Sequence, residues 1–584
     1  MFTRTKIICT IGPSCDSYEK ILQLIDAGMN VARLNFSHGT HEEHRKVIER
    51  LKRARKERAV PLAIMLDTKG PEIRVGQVPN GSIELKKGQK LKLIKHTAAT
   101  QTGSIPILPD IAIDALEVGK KVLFDDGYII SHVVEKLKDA VVVEIENPGI
   151  LKTHKGVNIP GVDIELPAMT EQDIVDIAFG CKEDVDIIAA SFIRSAEHIL
   201  EIKRLLAKEG KPDIMVIAKI ENSLGVLHFD SIVQVADGIM VARGDLGVEL
   251  PLKQIPKLQK MMIRKCYQAA KPVVTATQML ESMIKNPRPT RAEVSDVANA
   301  IYDSTSAVML SGETAMGQYP IEAVEMMKSI VQEAETDFNY RDFFLHDSQI
   351  DYNDISTSVA LATVKTAYSA NAKGIFVFTS QGFTSRLVSR FRAEMPIFAL
   401  APAFKVYHQL SLNWGVIPVD PLPAKNVQEA FQIVSCFAIS GGYLSHGDLV
   451  VVTAGSPFGM SGTTNMMMVE SIGNVLVRGN PYPDGKIISG KAVLILSSEE
   501  ATPKEIAGKI AVISRCDPTY IPILKDAVAI ILQNHPDDIE SQENAIKIAR
   551  TLRIPLLTRA DGAMALLQTD QKITLDTVKG IVYP

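Results

Sequence analysis

The chain has 584 residues and a formal net charge of −4, from 64 Lys and Arg against 68 Asp and Glu. This length predicts about four domains, and a composition of 46% hydrophobic and 23% charged residues excludes disordered and collagen-like chains. The near balance of charge argues against nucleic acid as a partner.

The six cysteines lack a CxxC pair or metal-type spacing, which indicates free thiols in a reducing compartment. No apolar run reaches the roughly 18–20 residues that a membrane helix needs. The first residues lead directly into a strand-like run, without a signal peptide. We therefore expect a cytoplasmic protein with no membrane partner.

Short, almost continuously apolar runs recur through the first 313 residues once one insert is set aside. There are eight of them: Thr5–Ile11, Val31–Phe36, Leu62–Thr68, Val185–Phe192, Ile214–Glu221, Gly238–Asp245, Val273–Gln278 and Ala307–Glu313. Most are separated by amphipathic stretches of helix length, such as Tyr18–Ala27 and Ile199–Lys208. Strands buried on both faces have this texture, and eight βα units predict a (β/α)8 TIM barrel over residues 1–69 and 167–341.

Polar residues stand at or just past the C-terminal ends of these runs. They are Asn35, Asp67, Arg194, Lys219, Glu221, Asp245, Thr277 and Glu313. In this kind of barrel the βα-loops converge at that end and carry the active site. The sequence therefore predicts that these side chains meet on one face.

The insert, residues 70–166, has a different texture. Ser82–Leu85 and Lys90–Ile94 alternate apolar and polar residues; Val122–Ile130, which carries the turn residues Asp126-Gly127, and Val141–Ile145 follow. Alternation with Gly and Asp turns predicts an antiparallel β domain. Because the insert enters through a βα-loop, we expect it to act as a lid, hinged at Asp67–Arg74, rather than as a decorative insertion.

A second α/β pattern begins after residue 341. Ile375–Ser380, Ile397–Pro402, Gly415–Val419 and Leu449–Gly455 alternate with helices and predict an α/β regulatory domain over residues 342–477. The Gly- and Pro-rich segment Arg478–Lys486 predicts a linker to a last α/β domain over residues 485–584.

Glu221 and Asp245 end neighbouring predicted strands, where two carboxylates can share a divalent cation such as Mg²⁺. The alternative is a pair of capping or salt-bridged acids. Lys219 lies two residues before Glu221, so both side chains point the same way. Such a lysine suits an anionic transition state. A Schiff base is the competing chemistry, and nearby acids that keep the lysine protonated disfavour it.

The segment Arg33–Gly39 also contains candidate binding residues. Arg33 suits a bidentate contact to phosphate. Asn35 and Ser37, with Asp67 and Thr68, offer oxygens that suit a monovalent cation. His38, in the same loop, is either structural or a nucleotide contact.

Other signals leave two interpretations open. Thr277 is a proton relay or a helix cap. The glycines of Gly238–Gly247 let backbone amides approach an anion, although a bare glycine motif is weak. Thr379–Thr384 follows a strand and combines hydroxyls with Gly382, which is typical of a phosphate cradle and equally of a capped βα turn.

Together these residues resemble the pyruvate kinase family. The motifs stand in order across about the first 475 residues: Ala32–Gly39, Leu66–Arg74, Ile217–Asn222, Met240–Glu249, Thr275–Met283, Asn286–Ile301 and Val308–Ala315. The resemblance implies a barrel, a β lid inserted after the third strand and a C-terminal α/β regulatory domain. It also implies phosphoryl transfer from phosphoenolpyruvate to ADP, giving pyruvate and ATP.

The resemblance implies roles for individual residues. Lys219 stabilises the phosphoryl group in transfer, Arg33 contacts phosphate, and Thr277 helps to protonate the enolate. Glu221 and Asp245 hold Mg²⁺ or Mn²⁺, while K⁺ takes the set Asn35, Ser37, Asp67 and Thr68, with Glu72 at the position that accompanies K⁺ dependence. The backbone of Ala242, Arg243, Gly244 and Asp245 binds the substrate carboxylate. The nucleotide faces Asn35, His38, Arg74 and Lys155.

The loop with Thr379, Ser380, Gly382 and Thr384 resembles the family's effector phosphate site, so a sugar phosphate or AMP is expected there. A cytoplasmic homotetramer is implied as well. The segment Asp303–Ser306 departs from the family's usual Asp-Gly-Thr-Asp, and Ser304 adds strain if a positive φ is required. The last domain resembles a swivelling phosphohistidine domain with Asn544 in place of the histidine, so we expect no phosphohistidine.

Two other functions remain open from the sequence. One is a Mg²⁺-dependent barrel lyase or aldolase acting on pyruvate enolate, which shares the paired acids but needs neither the lid nor the K⁺ residues. The other is a non-catalytic metabolite sensor, motivated by the altered Asp303–Ser306 segment and the missing histidine.

Overall fold

A computed structural model describes residues 2–96, 103–350, 353–457, 464–482, 485–499 and 501–584. The chain divides into two compact units. One consists of Met1–Leu361, Val377–Pro423 and Ala454–Asn465, and the other of Ala362–Phe376, Ala424–Thr453 and Met466–Pro584. The domain boundaries expected from the sequence remain predictions.

The first unit begins with three strands and two helices: β1 Lys6–Thr10, α1 Tyr18–Ala27, β2 Val31–Asn35, α2 His41–Glu57 and β3 Ala63–Asp67. Both helices begin where a hydroxyl residue satisfies a free backbone N–H of the first turn. Ser17 accepts from Lys20 N, and Thr40 and Glu43 form a reciprocal capping box. Helix α1 has the bounds predicted from its apolar spacing.

The insert follows β3. Its elements are β4 Arg74–Val75, β5 Ser82–Leu85, β6 Lys90–Lys95, β7 Ser104–Leu108, α3 Ile111–Ala115, β8 Lys121–Phe124, β9 Ile129–Lys136, β10 Ala140–Ile145, β11 Gly149–Lys152 and β12 Val157–Asn158. Seven strands form a sheet in the order β12-β8-β9-β10-β6-β7-β4, and β11 pairs with β5. The turn that Asp126-Gly127 predicted within Val122–Ile130 is confirmed, because left-handed backbone at Asp125, Asp126 and Gly127 turns the chain between β8 and β9.

The barrel is then completed. Its elements are α4 Glu171–Lys182, β13 Ile187–Ala190, α5 Ala196–Lys208, β14 Met215–Ile220, α6 Ser223–Leu227, α7 Phe229–Val235, β15 Gly238–Ala242, α8 Arg243–Glu249, α9 Ile255–Gln268, β16 Val273–Ala276, α10 Arg291–Tyr302, β17 Ala307–Leu310, α11 Gly312–Ala315 and α12 Pro320–Asp337. Eight parallel strands close in the order β1-β17-β16-β15-β14-β13-β3-β2. The (β/α)8 barrel predicted from the sequence is confirmed.

The strands of the barrel end earlier than the apolar runs suggested. The predicted strand Gly238–Asp245 stops at Ala242, and Arg243–Glu249 is helical. Likewise Ala307–Glu313 stops at Leu310, and a helical turn starts at Gly312. The polar ends of these runs leave the sheet, since past the barrel rim they have no neighbouring strand to pair with. This change of direction places Asp245 and Glu313 on turns above the strands.

A 3-10 helix appears at each of Pro79–Gly81, Leu252–Gln254, Glu281–Ile284, Leu410–Leu412 and Pro518–Tyr520. The α/β pattern that follows the barrel consists of α13 Tyr340–Asp347, α14 Ile355–Ser369, β18 Gly374–Phe378, α15 Phe383–Ser389, β19 Ile397–Leu400, α16 Phe404–Gln409, β20 Val416–Val419, α17 Val427–Ser440, β21 Leu449–Ala454 and β22 Met466–Ser471. Strands β19 and β20 pair in parallel.

The second unit ends in an eight-stranded sheet. Its elements are β23 Val477–Arg478, β24 Asn480–Pro481, β25 Ile487–Ile495, α18 Pro503–Ile506, β26 Ile510–Ile513, α19 Ile521–Leu524, β27 Ala529–Leu532, α20 Ile539–Leu552, β28 Leu556–Thr558, α21 Ala563–Leu566, β29 Lys572–Asp576 and β30 Ile581–Tyr583. The order is β23-β30-β29-β25-β26-β27-β28-β24. Part of the predicted linker Arg478–Lys486 is therefore an edge strand, where proline is tolerated; residues 483–484 lie outside the described residues.

Across the described residues, no helix has both the length and the apolar character needed to cross a bilayer.

Candidate active site

Lys219 lies near the end of β14 with its ammonium among three partners. Its Nζ is 2.9 Å from Asp67 Oδ1, 3.0 Å from Glu221 Oε1 and 2.6 Å from Ser191 Oγ. Burial alone would lower the pKa of Lys219, but the charges of Asp67 and Glu221 outweigh it and hold that pKa above its usual value. Lys219 is thus a buried, permanent cation, which argues against a Schiff base.

Asp67 joins this cation to a second one. Arg33 Nε donates to Asp67 Oδ2 at 2.5 Å, and Arg33 Nη1 donates to Thr10 Oγ1 at 2.9 Å. Burial raises the pKa of Asp67, but Arg33 and Lys219 outweigh that effect and lower it below the usual value. We call Arg33, Asp67, Lys219 and Glu221 the buried quartet. It alternates two cations with two anions, so that each charge is compensated despite its burial.

Ser191 is the residue that the sequence analysis missed. Its hydroxyl accepts from Lys219, lies 3.3 Å from Asp67 Oδ1 and donates to the carbonyl of Thr68 at 2.6 Å. Gly70, in the left-handed region at φ +75°, leaves the space it needs, since a Cβ there would come within 2.8 Å of Ser191 Cβ. The only sequence signal for Ser191 is its place as a polar residue near the end of the predicted strand run Val185–Phe192.

Arg194 lines one cavity together with Asp245 and Glu72, as its place after a strand suggested. Its guanidinium donates to the carbonyls of Leu166 at 2.5 Å and Pro167 at 2.8 Å, where the insert returns to the barrel. His228 contacts the Arg194 carbonyl at 2.8 Å. Arg194 therefore holds the root of the predicted lid.

Glu221 and Asp245 form the pair proposed for a divalent cation. Glu221 Oε2 accepts from the backbone N–H of Phe192 at 2.6 Å. Burial, and to a smaller extent the negative charge of Glu221, raises the pKa of Asp245 to about 7. A bound cation would relieve this excess of negative charge, so the donor set fits Mg²⁺ or Mn²⁺.

No group of three or more His, Cys, Asp or Glu side chains is arranged as a metal site in the described part of the chain. Two carboxylates are nevertheless enough for Mg²⁺, which keeps several waters and recruits substrate oxygens.

Thr277 follows β16 in strained backbone. Its φ is +68° and that of Gln278 is +55°. This left-handed region is energetically unfavourable for a β-branched residue such as threonine. The strain aims the Thr277 hydroxyl at the neighbouring loop, where it accepts from Gly244 N at 2.8 Å. The Arg243 guanidinium lies 2.7 Å from Asp296 and donates to the Thr277 carbonyl at 2.8 Å. The Arg243 side chain therefore contacts the Thr277 backbone, while the Thr277 hydroxyl meets the backbone N–H of Gly244.

The residues predicted to hold K⁺ lie at the ends of two adjacent strands. Asn35 and Asp67 are register partners in β2 and β3. Asn35 Oδ1 accepts from Ser37 N at 3.1 Å, and Thr68 Oγ1 accepts from Ser191 N at 3.2 Å. The donors of this set are oxygens with one carboxylate among them, which fits a monovalent cation.

The residues predicted for the nucleotide divide into two groups. Arg74 and Lys155 come together in the insert, since Val75 N donates to the Lys155 carbonyl at 2.8 Å. Arg74 pairs with Glu72, and Lys155 Nζ lies 2.7 Å from Asp125. His38 is exposed, and its carbonyl lies 2.9 Å from His44 Nε2. The contacts of His38 are thus within its own loop.

The loop predicted to bind an effector is held internally. Gly382 has φ +75° and precedes α15, and its carbonyl accepts from Ser385 Oγ at 2.7 Å. Thr384 is buried, with Oγ1 2.7 Å from Thr464 Oγ1. Thr379, at 9% exposure, is also buried, while Ser380 is partly exposed. Thr384 thus ties the loop to the segment that carries Thr464.

Glu313, another polar residue at a strand end, has a structural role. It is fully buried, and its two oxygens accept from the backbone N–H groups of Leu280 at 3.0 Å and Ser311 at 2.7 Å. Its carboxylate is committed to holding two loops of the barrel rim.

Comparison with known proteins gives the family. The chain matches the family model "Pyruvate kinase, barrel domain" over residues 2–324 and "Pyruvate kinase, alpha/beta domain" over residues 357–470. It is 43% identical to the pyruvate kinase of Geobacillus stearothermophilus over 100% of this chain and 99% of that protein. It is 40% identical to that of Sporosarcina psychrophila and 41% identical to that of Bacillus licheniformis, each over 99% of this chain and 98% of the relative.

These relatives align with the last hundred or so residues as well, which neither family model covers. The match in family models, the closed barrel and the buried quartet agree with one another. The chain belongs to the pyruvate kinase family and is a phosphotransferase.

Proposed function

We propose that this chain transfers the phosphoryl group of phosphoenolpyruvate to ADP, giving pyruvate and ATP, as the last step of glycolysis. The observation that carries the proposal is the buried quartet, which holds Lys219 and Arg33 as fixed cations at the carboxyl end of the barrel. Phosphoryl transfer requires positioning and charge neutralisation more than covalent chemistry.

Lys219 and Arg33 supply that neutralisation. Lys219 contacts the phosphoryl oxygens as charge spreads over them in the transition state, and Arg33 contacts the phosphate of the substrate. Because Asp67 bridges the two cations at 2.9 Å and 2.5 Å, their separation is set before substrate binds. A charged group held in place costs no reorganisation during the reaction.

Glu221 and Asp245 would hold Mg²⁺ or Mn²⁺, and Asn35, Ser37, Asp67 and Thr68 would hold K⁺. Bound there, the cations supply further positive charge to the phosphoryl group and the enolate oxygen. The raised pKa of Asp245 supports this assignment, because that carboxyl lacks a compensating cation of its own.

The proton that converts enolate to pyruvate is assigned to the region of Thr277. Its hydroxyl and the N–H of Gly244 are 2.8 Å apart, so a substrate carboxylate bound by the backbone of Ala242–Asp245 lies within reach of Thr277. When the substrate takes the Gly244 N–H, the Thr277 hydroxyl is released to relay a proton.

Asn35, His38, Arg74 and Lys155 are proposed to face the nucleotide. A movement of the insert would bring the pair Arg74 and Lys155 toward the loop of His38. Arg194, which holds the root of the insert through Leu166 and Pro167, is placed to limit that movement.

Regulation is proposed at the loop that contains Thr379, Ser380, Gly382 and Thr384, with a sugar phosphate or AMP as the effector. We further propose a cytoplasmic homotetramer, with the domain boundaries given under Sequence analysis. The last domain, with Asn544 donating to the Cys516 carbonyl at 3.2 Å, is assigned a structural rather than a phosphohistidine role. Titration of the effector against wild type and Thr384→Ala tests the site, and unchanged affinity would refute it.

A coupled assay of pyruvate formation from phosphoenolpyruvate and ADP tests the main proposal. We expect activity that needs both Mg²⁺ and K⁺. Activity without K⁺ would remove the monovalent site from the proposal. Absence of activity, even with sugar phosphates and AMP added, would favour a metabolite sensor.

A further inference from the structure

The buried quartet is held at its Arg33 end by a residue that no step of the proposed function uses. Thr10 is the last residue of β1 and the register partner of Arg33 in β2. It is buried, with 4% of its surface exposed. The hydrogen bond of 2.9 Å from Arg33 Nη1 to Thr10 Oγ1 shows that the two side chains lie on the same face of the sheet.

The Thr10 hydroxyl has one proton to donate, and that proton has a defined acceptor. Oγ1 donates to the carbonyl of Leu310, the last residue of β17, at 2.9 Å. A hydroxyl carries one donor and two acceptor lone pairs, whereas a guanidinium only donates. Thr10 Oγ1 therefore presents a lone pair to Arg33 in a fixed direction, because a rotation of the side chain would break its bond to Leu310.

Arg33 is held in this way through two of its three nitrogens. Nε donates to Asp67 Oδ2 at 2.5 Å, and Nη1 donates to Thr10 Oγ1 at 2.9 Å. A single contact through Nε would let the guanidinium swing about that bond, and the second contact fixes its plane. The third nitrogen, Nη2, has no hydrogen-bond partner in the described part of the chain. Its N–H groups are the ones available to a phosphate oxygen.

The backbone of Thr10 is fixed independently of its hydroxyl. Thr314, which is fully buried, donates through Oγ1 to the Thr10 carbonyl at 2.8 Å. Gly12 lies against Ala315, since a Cβ on Gly12 would come within 2.6 Å of the Ala315 carbonyl oxygen. The end of β1 is thus packed against α11. We therefore expect removal of the Thr10 hydroxyl to change the contacts of Arg33 and to leave the path of the chain unchanged.

We propose that Thr10 is a positioning residue, which directs the Arg33 guanidinium toward the phosphate of the substrate. The inference rests on the proposed function. Hydrogen bonds run from Leu310 through Thr10, Arg33 and Asp67 to Lys219, so the Thr10 hydroxyl fixes one end of the row that contains both cations. Without that hydroxyl, Arg33 keeps its charge and its ion pair but loses its direction.

Thr10→Val removes the hydroxyl at nearly constant volume, and Thr10→Ser restores it. We expect Thr10→Val to lower kcat/KM for phosphoenolpyruvate about tenfold in the full-length protein with Mg²⁺ and K⁺, because a hydrogen bond to a charged group is lost. KM for ADP should stay within about twofold, and Thr10→Ser should stay within about threefold of wild type. Thr10→Ala, which adds no methyl group beside Arg33, replaces Thr10→Val if circular dichroism shows that Thr10→Val is not folded.

The matched control is Thr305→Val. Thr305 is fully buried and precedes β17, at the end of the barrel opposite the candidate active site, and its hydroxyl lies 2.9 Å from that of Thr275. Its loss removes a buried hydrogen bond without touching Arg33. We expect both steady-state constants of Thr305→Val to stay within about twofold of wild type. A tenfold loss of kcat/KM in Thr305→Val as well would overturn the proposal.

A double-mutant cycle with Arg33→Met separates positioning from a general structural role. Arg33→Met has no guanidinium, so Thr10 has nothing to direct in that background. We expect Thr10→Val to lower kcat/KM for phosphoenolpyruvate by less than about twofold when it is added to Arg33→Met. The same tenfold loss in both backgrounds, or kinetics of Thr10→Val equal to those of wild type, would overturn the proposal.

Calorimetric titration of phosphoenolpyruvate with Mg²⁺ and K⁺, without ADP, distinguishes a failure of this inference from a failure of the proposed function. If wild type forms no pyruvate but Thr10→Val binds phosphoenolpyruvate more weakly than wild type and Thr10→Ser do, the role of Thr10 is supported and phosphoryl transfer is refuted. If wild type is active and Thr10→Val matches it in binding and kinetics, the role of Thr10 is refuted and the reaction stands. Absence of binding by wild type would overturn both.

Discussion

The buried quartet and Asp245 carry charge on the same face of the barrel and differ in how that charge is balanced. In the quartet every cation touches a carboxylate within 3.0 Å, so the charges are compensated by the chain itself. Asp245 is half-buried, and burial together with the negative charge of Glu221 raises its pKa to about 7. A balanced set of buried charges is held in place before any ligand binds, whereas an unbalanced charge indicates a place where a bound ion supplies the opposite charge.

The largest effect is expected from breaking the balance of the quartet. Asp67→Asn removes the anion between Arg33 and Lys219, so both cations lose their fixed position. We expect kcat to fall by at least about a hundredfold. The free energy of unfolding should fall by about 3–5 kcal/mol, because buried Arg33 is left without a carboxylate and Lys219 keeps only Glu221. Steady-state kinetics and urea denaturation measure the two losses.

The matched control for that change is Asp26→Asn. Asp26 pairs with Arg58 on the surface, with 55% of its side chain exposed. Solvent screens such a pair, so neither activity nor stability should change measurably. A comparable loss in both variants would show that burial is not what makes the quartet important.

The charge of Asp245 is not balanced by a cation of its own. We therefore expect the stability of the metal-free protein to depend on pH. Its folded pKa of about 7 lies above the value near 3.9 of an unfolded aspartate. Between these values the folded state binds more protons, so stability falls as pH rises, by up to about 1.4 kcal/mol per unit.

Chemical denaturation in a chelator from pH 4 to pH 8, for wild type and Asp245→Asn, measures that slope. We expect the variant to show a weaker decline, and added Mg²⁺ to oppose the decline in wild type at high pH. Equal slopes in both proteins would mean that Asp245 is ionised throughout this range.

Ser191 differs from the members of the quartet, because it positions the cation of Lys219 without contributing charge. Ser191→Ala leaves Lys219 Nζ with its two carboxylates and removes a contact of 2.6 Å. We expect kcat to fall about tenfold, with KM for phosphoenolpyruvate changing less, since a net hydrogen bond to a charged group contributes about 1.5–3 kcal/mol.

Ser231→Ala is the control for Ser191, because its hydroxyl donates at 2.8 Å to a nearby backbone carbonyl, that of His228, on an exposed helix. It should leave kcat unchanged. A larger effect on KM than on kcat in Ser191→Ala would assign the serine to substrate binding instead of to Lys219.

The smallest expected effect lies in the loop before β17. Ser304, whose carbonyl accepts from Arg392, has φ +71°, so the condition under which a serine in place of the family's glycine adds strain is met. Ser304→Gly should stabilise the protein by about 1 kcal/mol, because glycine adopts this region without strain. Ser304→Ala keeps the strain and should give no gain; a matching gain, seen by thermal denaturation, would locate the effect in the hydroxyl.

Local chemistry could be predicted well from the sequence. The spacing of Lys219 and Glu221 placed both side chains at one strand end, and they meet at 3.0 Å. Helix α1 begins and ends where its apolar spacing indicated. The strand ends were predicted too late at Asp245 and Glu313, because a run of apolar residues does not show where the barrel rim ends.

What the sequence could not predict depends on distant segments. Ser191 contacts Asp67 across more than a hundred residues, and its neighbours in sequence carry no distinguishing pattern. This grouping does not follow from periodicity, since it is created when the barrel closes.

Lys219 is proposed to act on the phosphoryl group rather than on the enolate. In Lys219→Met, phosphoryl transfer and the exchange of pyruvate methyl protons with deuterated water can be measured on the same sample. We predict that phosphoryl transfer falls by at least about a hundredfold. Proton exchange should persist, because it depends on Thr277 and on the Mg²⁺ and K⁺ proposed to bind beside it. Equal loss of both reactions, or loss of neither, would contradict the assignment.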